Sequence, residues 1–567
     1  MNEPIFSPLD FYVNEGKARH EKNVDEYFAA LKARANVNDA ENKATVAKYN
    51  AKRAEIDGLE NSVSGYKRLR AWSIFGIIIA WLIAITVAYH YIPQAALQAF
   101  VIAACLATAI TGIVLICKHT SKKIKGFSQR IATEQTAADG YFLQAQKQAA
   151  PLNALFDDED ALKLFSKTLP FVSFDDYLNE SRLADLQAYG YTPYIDVDET
   201  VTQTLSGELY GDPFVFERRL RYYMGEERYT GSKTISWTTT YRDSQGRTQT
   251  QTHTQTLYAS VVKPKPFYRE SAGLHYGNDA APDLHFSRSG NHVERKSRSQ
   301  IERMVRAGEK KIERLVEKAA KEGDDFTGVL NTEFDVLFNA LDRDDELQFR
   351  QTFTPLAQES TLKLLLSKEG YGDDFSFVKN GKLNTISSDH ALNGTFSTGV
   401  HHYISHDIAQ AEENFKSFNN AFFKSLYFDF APILAIPLYK EYAAVKNTRK
   451  SGRVSQHVLE NLAYAFRMYL APDNAQTLSI LKTQTLREEN GALLVGVTAR
   501  AFDTEERVDY IRVHGGDGNW HDVPVYWTLY IPVQRKTVIR IVEKGNEVPA
   551  DKPYLTEKSF TVYLENG

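Results

Sequence analysis

Cysteine is almost absent. The chain has two, Cys105 and Cys117, and both fall inside one apolar run. The rest of the sequence therefore offers no thiol for a disulfide, a zinc ribbon or a nucleophile, as expected in a reducing compartment. Nucleotide-binding patterns are missing too: Gly231 to Thr234 (GSKT) lacks the Gly-Lys pair and the upstream glycine of a phosphate loop, and no GxGxxG follows a strand pattern. Neither a GxSxG elbow nor an HExxH helix occurs. ATPase, dehydrogenase and common hydrolase readings lose their usual support. A net charge of −5 removes the electrostatic case for nucleic acid.

A second absence is more telling. The stretch from Trp72 to Ile92, and the stretch from Ala95 to Cys117, contain no Lys, Arg, Asp or Glu. Each has the roughly 20 residues that an α-helix needs to cross a bilayer. Only residues 92–94 or so separate them, which predicts a tight turn and a transmembrane helical hairpin. Lys67, Arg68 and Arg70 precede the first run; Lys118, Lys122, Lys123 and Lys125 follow the second. Basic flanks stay in the cytoplasm, so both termini are expected there, with Trp72, Tyr89 and Tyr91 as interface anchors. About seventy mostly polar residues precede the first run, which is not the layout of a cleaved signal peptide. The competing reading is a buried helical hairpin in a soluble core. A mean hydropathy of −0.39 makes the runs an anchor on a mainly polar chain.

Before and after the runs the sequence reads as helix. Ile56, Leu59, Val63 and Tyr66, then Ile124, Phe127 and Ile131, recur at three- and four-residue steps. These segments, 1–71 and 118–150, are expected to form an antiparallel helical stalk around the 72–117 hairpin, as a coiled coil or a broken bundle. Downstream, the fold class is α+β: a mixed region over 151–294, a helical and mixed region over 295–450, and a helix followed by a β-rich segment over 451–567. Residues 200–268 alternate in strand fashion. Lys233 to Arg242, Asp243 to Gly246 and Arg247 to Val262 read as one long hairpin, ended by the prolines at 264 and 266. Its arm from Thr248 to Thr256 is polar on both faces, so it projects or meets a partner. Trp237, Thr250, Thr252 and Thr254 are the candidate contact residues. Residues 269–294 read as loop, 295–321 as a basic amphipathic helix interrupted by Gly308, and Leu426 to Tyr439 as strand and turn. Thr354 and Pro355 read as a helix start.

Two histidine groups invite a metal reading. On a helix His402 and His406 would share a face, with Asp407 to complete a set; Asp389 and His390 lie upstream. His514, Asp517 and His521 flank a glycine turn and could converge on an ion. The plainer readings are packing for the first group and a simple turn for the second. A divalent metal is thus admitted as a cofactor, though none is required.

The stretches Glu333 to Asp344, Phe349 to Gln358, Asp373 to Phe377 and His514 to Val525 resemble a group of uncharacterised bacterial membrane proteins with two N-terminal spans and a large cytoplasmic domain. The resemblance implies architecture and a bacterial inner-membrane location, and it implies no activity. The reading that follows is a membrane-anchored scaffold or interaction protein, with lipid bilayer and a protein partner (or copies joined through the stalk) as its contacts. The rival readings are a membrane-tethered metal-dependent hydrolase and, more weakly, a transport component.

Overall fold

The structure, a computed structural model, describes the chain apart from residues 1–4, 92–94, 243, 324–325, 369, 445–451, 490, 547–548, 550–551, 558 and 566–567, and apart from the side chains of 88, 90, 91 and 95–98. The expected turn at 92–94 and the anchoring role of Tyr91 lie outside the described residues. In chain order the elements begin with α1 (Pro8–Phe11), α2 (Lys17–Ala35), α3 (Asp39–Tyr91), α4 (Ala95–Asn153) and α5 (Asp160–Thr168). Next come β1 (Val172–Phe174), α6 (Glu180–Ala188), β2 (Glu199–Leu209), β3 (Asp212–Arg242), β4 (Thr248–Gly277) and β5 (His285–Arg288). They are followed by α7 (Arg298–Glu322), α8 (Thr332–Phe338), α9 (Glu346–Thr352), α10 (Pro355–Leu366), β6 (Ser376–Asn380), β7 (Leu383–Ser387) and α11 (Asp389–Asn393). The chain closes with α12 (Ile408–Leu434), α13 (Pro437–Glu441), α14 (Gln456–Ala465), β8 (Ile480–Glu489), β9 (Ala492–His514), β10 (Trp520–Glu543), β11 (Tyr554–Glu557) and β12 (Phe560–Leu564). The architecture is α+β. Two compact units divide it: Asp25–Phe156 with Val400–Phe418, and the remainder.

The first of these units is helical. At ~1.5 Å per residue, α3 and α4 are each about 80–90 Å long. Gln148 Nε2 donates to Glu41 Oε1 (3.0 Å), Lys52 pairs with Glu134 (2.6 Å), and the rings of Tyr66 and Phe127 lie 5.7 Å apart. Rising numbers on α3 meet falling numbers on α4, so the two run in opposite directions along this segment. Val46, Ile56 and Leu59 are buried on α3; Ala138, Ala145 and Ala149 are buried on α4. The helical segment expected over 1–71 is broken at Asn36, whose φ of 49° lies in the left-handed region that asparagine tolerates better than most residues. Both α3 and α4 are long and apolar enough to cross a membrane, and none of their most apolar window is buried. Trp72 is 70% exposed and Phe100 72%. A core helix would hide such side chains, so the buried-hairpin reading fails.

The second unit carries two antiparallel sheets, ordered β1-β2-β3-β4-β7-β6-β5 and β11-β12-β10-β9-β8. Helix α14 lies on both. Its Glu460 accepts the Val201 N–H (3.0 Å), and its Asn461 accepts from Thr204 N–H and donates to the Thr202 carbonyl. These side chains close the edge of β2 where its register shifts between Val201 and Gln203. Val458, Leu462, Val215, Leu481, Val495 and Ile539 form the core beneath.

Several expectations change here. Strand β4 continues through Pro264 and Pro266 to Gly277, because β3 is its one neighbour until β7 joins at Leu274. Proline is tolerated on such an edge. The expected loop at 269–294 accordingly contains the end of β4 and all of β5. Leu426 to Leu434 is helix, not strand: Phe423, Leu426, Tyr427, Phe430 and Leu434 are buried at helical spacing. Within it Asp429 accepts a hydrogen bond from Ser388, and burial pushes its carboxyl pKa far up. Helix α7 runs straight through Gly308, where a Cβ would meet Val336 at 2.4 Å, so the glycine admits α8 rather than ending the helix. Thr354 does cap α10, accepting the Ala357 N–H.

Candidate interaction surface

Strands β3 and β4 pair without interruption from Phe214–Tyr276 out to Arg242–Thr248. At ~3.4 Å per residue this ribbon is on the order of 100 Å long. An isolated two-stranded ribbon is marginally stable at best in water. Support comes from a second ribbon, β9–β10, inside the segment expected only to be β-rich.

The two ribbons meet through their odd-numbered faces. Ile235, Leu257 and Val523 are buried there, with Trp237, Ala259 and Val513 packed against them. Gly231 sits where a Cβ would come within 2.0 Å of the Pro524 carbonyl, so only glycine lets the backbones approach this closely. Lys263 pairs with Asp509 at 2.7 Å and lies 4.2 Å over the Trp527 ring. Lys233 Nζ donates to the Asp522 carbonyl. At the end of the second ribbon the Gly516 N–H donates to Gln255 Oε1 (2.7 Å), and Trp237 covers Gly516.

Beyond Trp237 and His253, whose rings stack at 5.4 Å, the first ribbon runs on unsupported. Thr238 to Arg242 and Thr248 to Thr252 are exposed on both faces. Asp243 lies outside the described residues; the turn continues to Gly246 at φ 78°. Of the four candidate contact residues, Thr250, Thr252 and Thr254 are exposed, while Trp237 is half-buried between the ribbons. Threonine suits this position, since its β-branch favours strand and its hydroxyl stays solvated.

The histidine groups do not assemble. Val400–His402 is a short 3₁₀ turn, so His402 and His406 share no helical face. His402 stacks on Phe418 at 4.1 Å, whereas His406 packs against Phe142 and Tyr49. Asp407 caps α12 by accepting the Ala409 N–H. In the second group His521 binds Asp517 through Nε2 (2.9 Å), and that bond, ahead of those from Asn519, holds the Asp517 carboxyl at about 2. His514 faces the other side, edge-on to Trp520. Among the described residues no three His, Cys, Asp or Glu side chains gather to hold a metal. The admitted divalent metal is therefore withdrawn: one group is aromatic packing and a helix cap, the other a turn.

A cleft of about 450 Å³ in the second unit is lined by Asp157, Glu159, Asp176 and Glu543, with Lys544 bound to Asp158 at 2.9 Å. No histidine or cysteine lines it. Buried charges nearby are paired: Arg182 with Asp175 (2.9 Å) and Glu208 (3.1 Å), as Arg343 is with Asp335 and Glu346 (both 2.7 Å) elsewhere. Removing one partner of such a pair would leave the other a buried, uncompensated charge.

Set against known proteins, no family model, curated protein or solved structure matches the chain. What stands of the resemblance is its layout: two long apolar helices near the N-terminus and a large downstream domain. No homology ties it to a particular bacterial group.

Proposed function

We propose that this protein is a membrane-anchored interaction protein of the bacterial cytoplasmic membrane, with both termini cytoplasmic. The apolar spans of α3 and α4 hold it in the bilayer, their polar continuations form a stalk, and the β3–β4 ribbon reaches a protein partner. The observation that carries the reading is the ribbon end, exposed on both faces where no core claims it. A strand pair with two open edges can take up a partner strand by backbone hydrogen bonds. Basic residues on both outer flanks of the spans support the orientation.

The test replaces residues 238–252 by a two-residue turn in the full chain, expressed in its membrane. Loss of the co-purifying partner with membrane association intact is the expected result. Retention of every partner would refute the ribbon end as the contact. Reporter fusions at each terminus check the orientation separately.

A further inference from the structure

The second ribbon has an outer face that none of the described residues packs over. The register pairs His514 with Trp520, Arg512 with Asp522, Tyr510 with Pro524 and Val508 with Tyr526. Cross-strand partners share a side, so these eight residues lie on one face. The opposite face, through Val513 and Val523, is the one packed on the first ribbon. Tyr510 and Trp520 are each 64% exposed and Tyr526 66%. Aromatic side chains bury about 150–250 Å² each when covered, so these three leave roughly 400 Å² of ring surface open. That is about the size of the largest apolar patch on a typical monomer, which is often functional.

We propose that this face pairs with the same face of a second copy of the chain. The charged side chains among these eight are one Arg and one Asp, directly opposite each other with Arg512 Nε 3.7 Å from Asp522 Oδ1, and Glu506 lies at the margin. A two-fold axis through the patch brings Arg512 of each copy against Asp522 of the other, twice, while the rings interleave between them. An isologous interface requires such self-complementarity. A strongly acidic or basic partner would meet one like charge. Two copies of the patch, with Val508 and Pro524, cover about 1,000 Å², the lower bound for a specific but weak interface. Confinement of both copies to one membrane raises their effective concentration and makes such a contact sufficient. Only this last step rests on the membrane-anchored reading, and the ribbon end is not involved.

The experiment uses the full chain in lipid vesicles with a photo-crosslinker in place of Glu506, at the margin of the face. A cross-linked dimer is expected. Trp520→Ala and Tyr526→Ala, singly, should each lower its yield about tenfold, the loss of one aromatic anchor. Arg512→Asp and Asp522→Arg should each abolish self-pairing, yet differently tagged copies of the two variants, mixed in one vesicle, should cross-link to each other. Recovery on mixing cannot come from a damaged fold or from repair of the bond within one chain. Yield unchanged in the ring variants, absence of rescue on mixing, or cross-links in cells to other proteins alone would each overturn the proposal. Vesicle flotation reads anchorage apart from pairing: a chain that fails to float yet cross-links sinks the anchor and leaves the pairing.

Discussion

Two long paired elements dominate this molecule, and they solve opposite problems. The α3–α4 pair exposes Trp72, Ile83, Phe100 and Leu115. The β3–β4 ribbon exposes a threonine- and glutamine-rich end. A helix satisfies its backbone hydrogen bonds internally, so its surface is free to be apolar and to face lipid. A two-stranded ribbon leaves one edge of each strand open, so its end needs water or another strand. On the proposed reading, exposure suits a bilayer in one case and solvent or a partner in the other.

The largest test of this contrast places a charge in the span. Ile83→Arg should cost about 3 kcal/mol of insertion, read as a higher fraction of chain extracted by alkaline carbonate. The same charge at Thr250, on the ribbon end, should leave extraction unchanged. Next in size, Leu257→Ala removes a buried side chain between the ribbons and should destabilise the arm by about 2–3 kcal/mol. Hydrogen exchange should then show lost protection over 231–261 and 509–527, with α3 and α4 unaffected. Thr250→Ala, beyond the support of the second ribbon, should change stability by less than about 0.5 kcal/mol. If Thr250→Ala cost as much as Leu257→Ala, the ribbon end would not be the free element described here.

Acid sharpens the same division with a smaller effect at the tip. His20 stacks on Phe423 at 4.0 Å, and burial pulls its pKa down to about 4. The unfolded imidazole takes its proton near pH ~6.5, so stability from this group is present above that value and is lost as pH falls toward 4. Asp517 titrates lower in the folded chain than its unfolded value of about 3.9. Its contribution is present above that value and is lost only as pH falls toward about 2. The body of the unit should therefore loosen before the turn at 515–519, in melts scanned from pH 7 to 2. His20→Asn should reduce the first phase, to which His390, also pulled down to about 4 by burial, still contributes, and leave the second.

Much of this was legible because local chemistry dictated it. Charge-free runs of twenty residues read as long apolar helices, and the Thr–Gln alternation of 248–256 has no buried solution. Thr354 before Pro355 announced a helix start that the fold kept. Where reading failed, the deciding contact was distant in sequence. The run from Leu426 to Leu434 is too short for apolarity to separate strand from helix, and its neighbours settled it. Proline at 264 and 266 looked like a stop until the fold made β4 an edge there. His402 and His406 suggested a shared face only on the assumption of a helix.

The sequence by itself determined the two apolar helices, the α+β class and the solvated ribbon end, because hydrophobicity and strand period act over neighbouring residues. Only the tertiary structure decided that β9–β10 backs the ribbon, that Trp237 belongs to their contact, and that Tyr510, Trp520 and Tyr526 share an open face. Those facts depend on register and on pairing between residues nearly three hundred positions apart, and local patterns carry no information about which distant strand will be met.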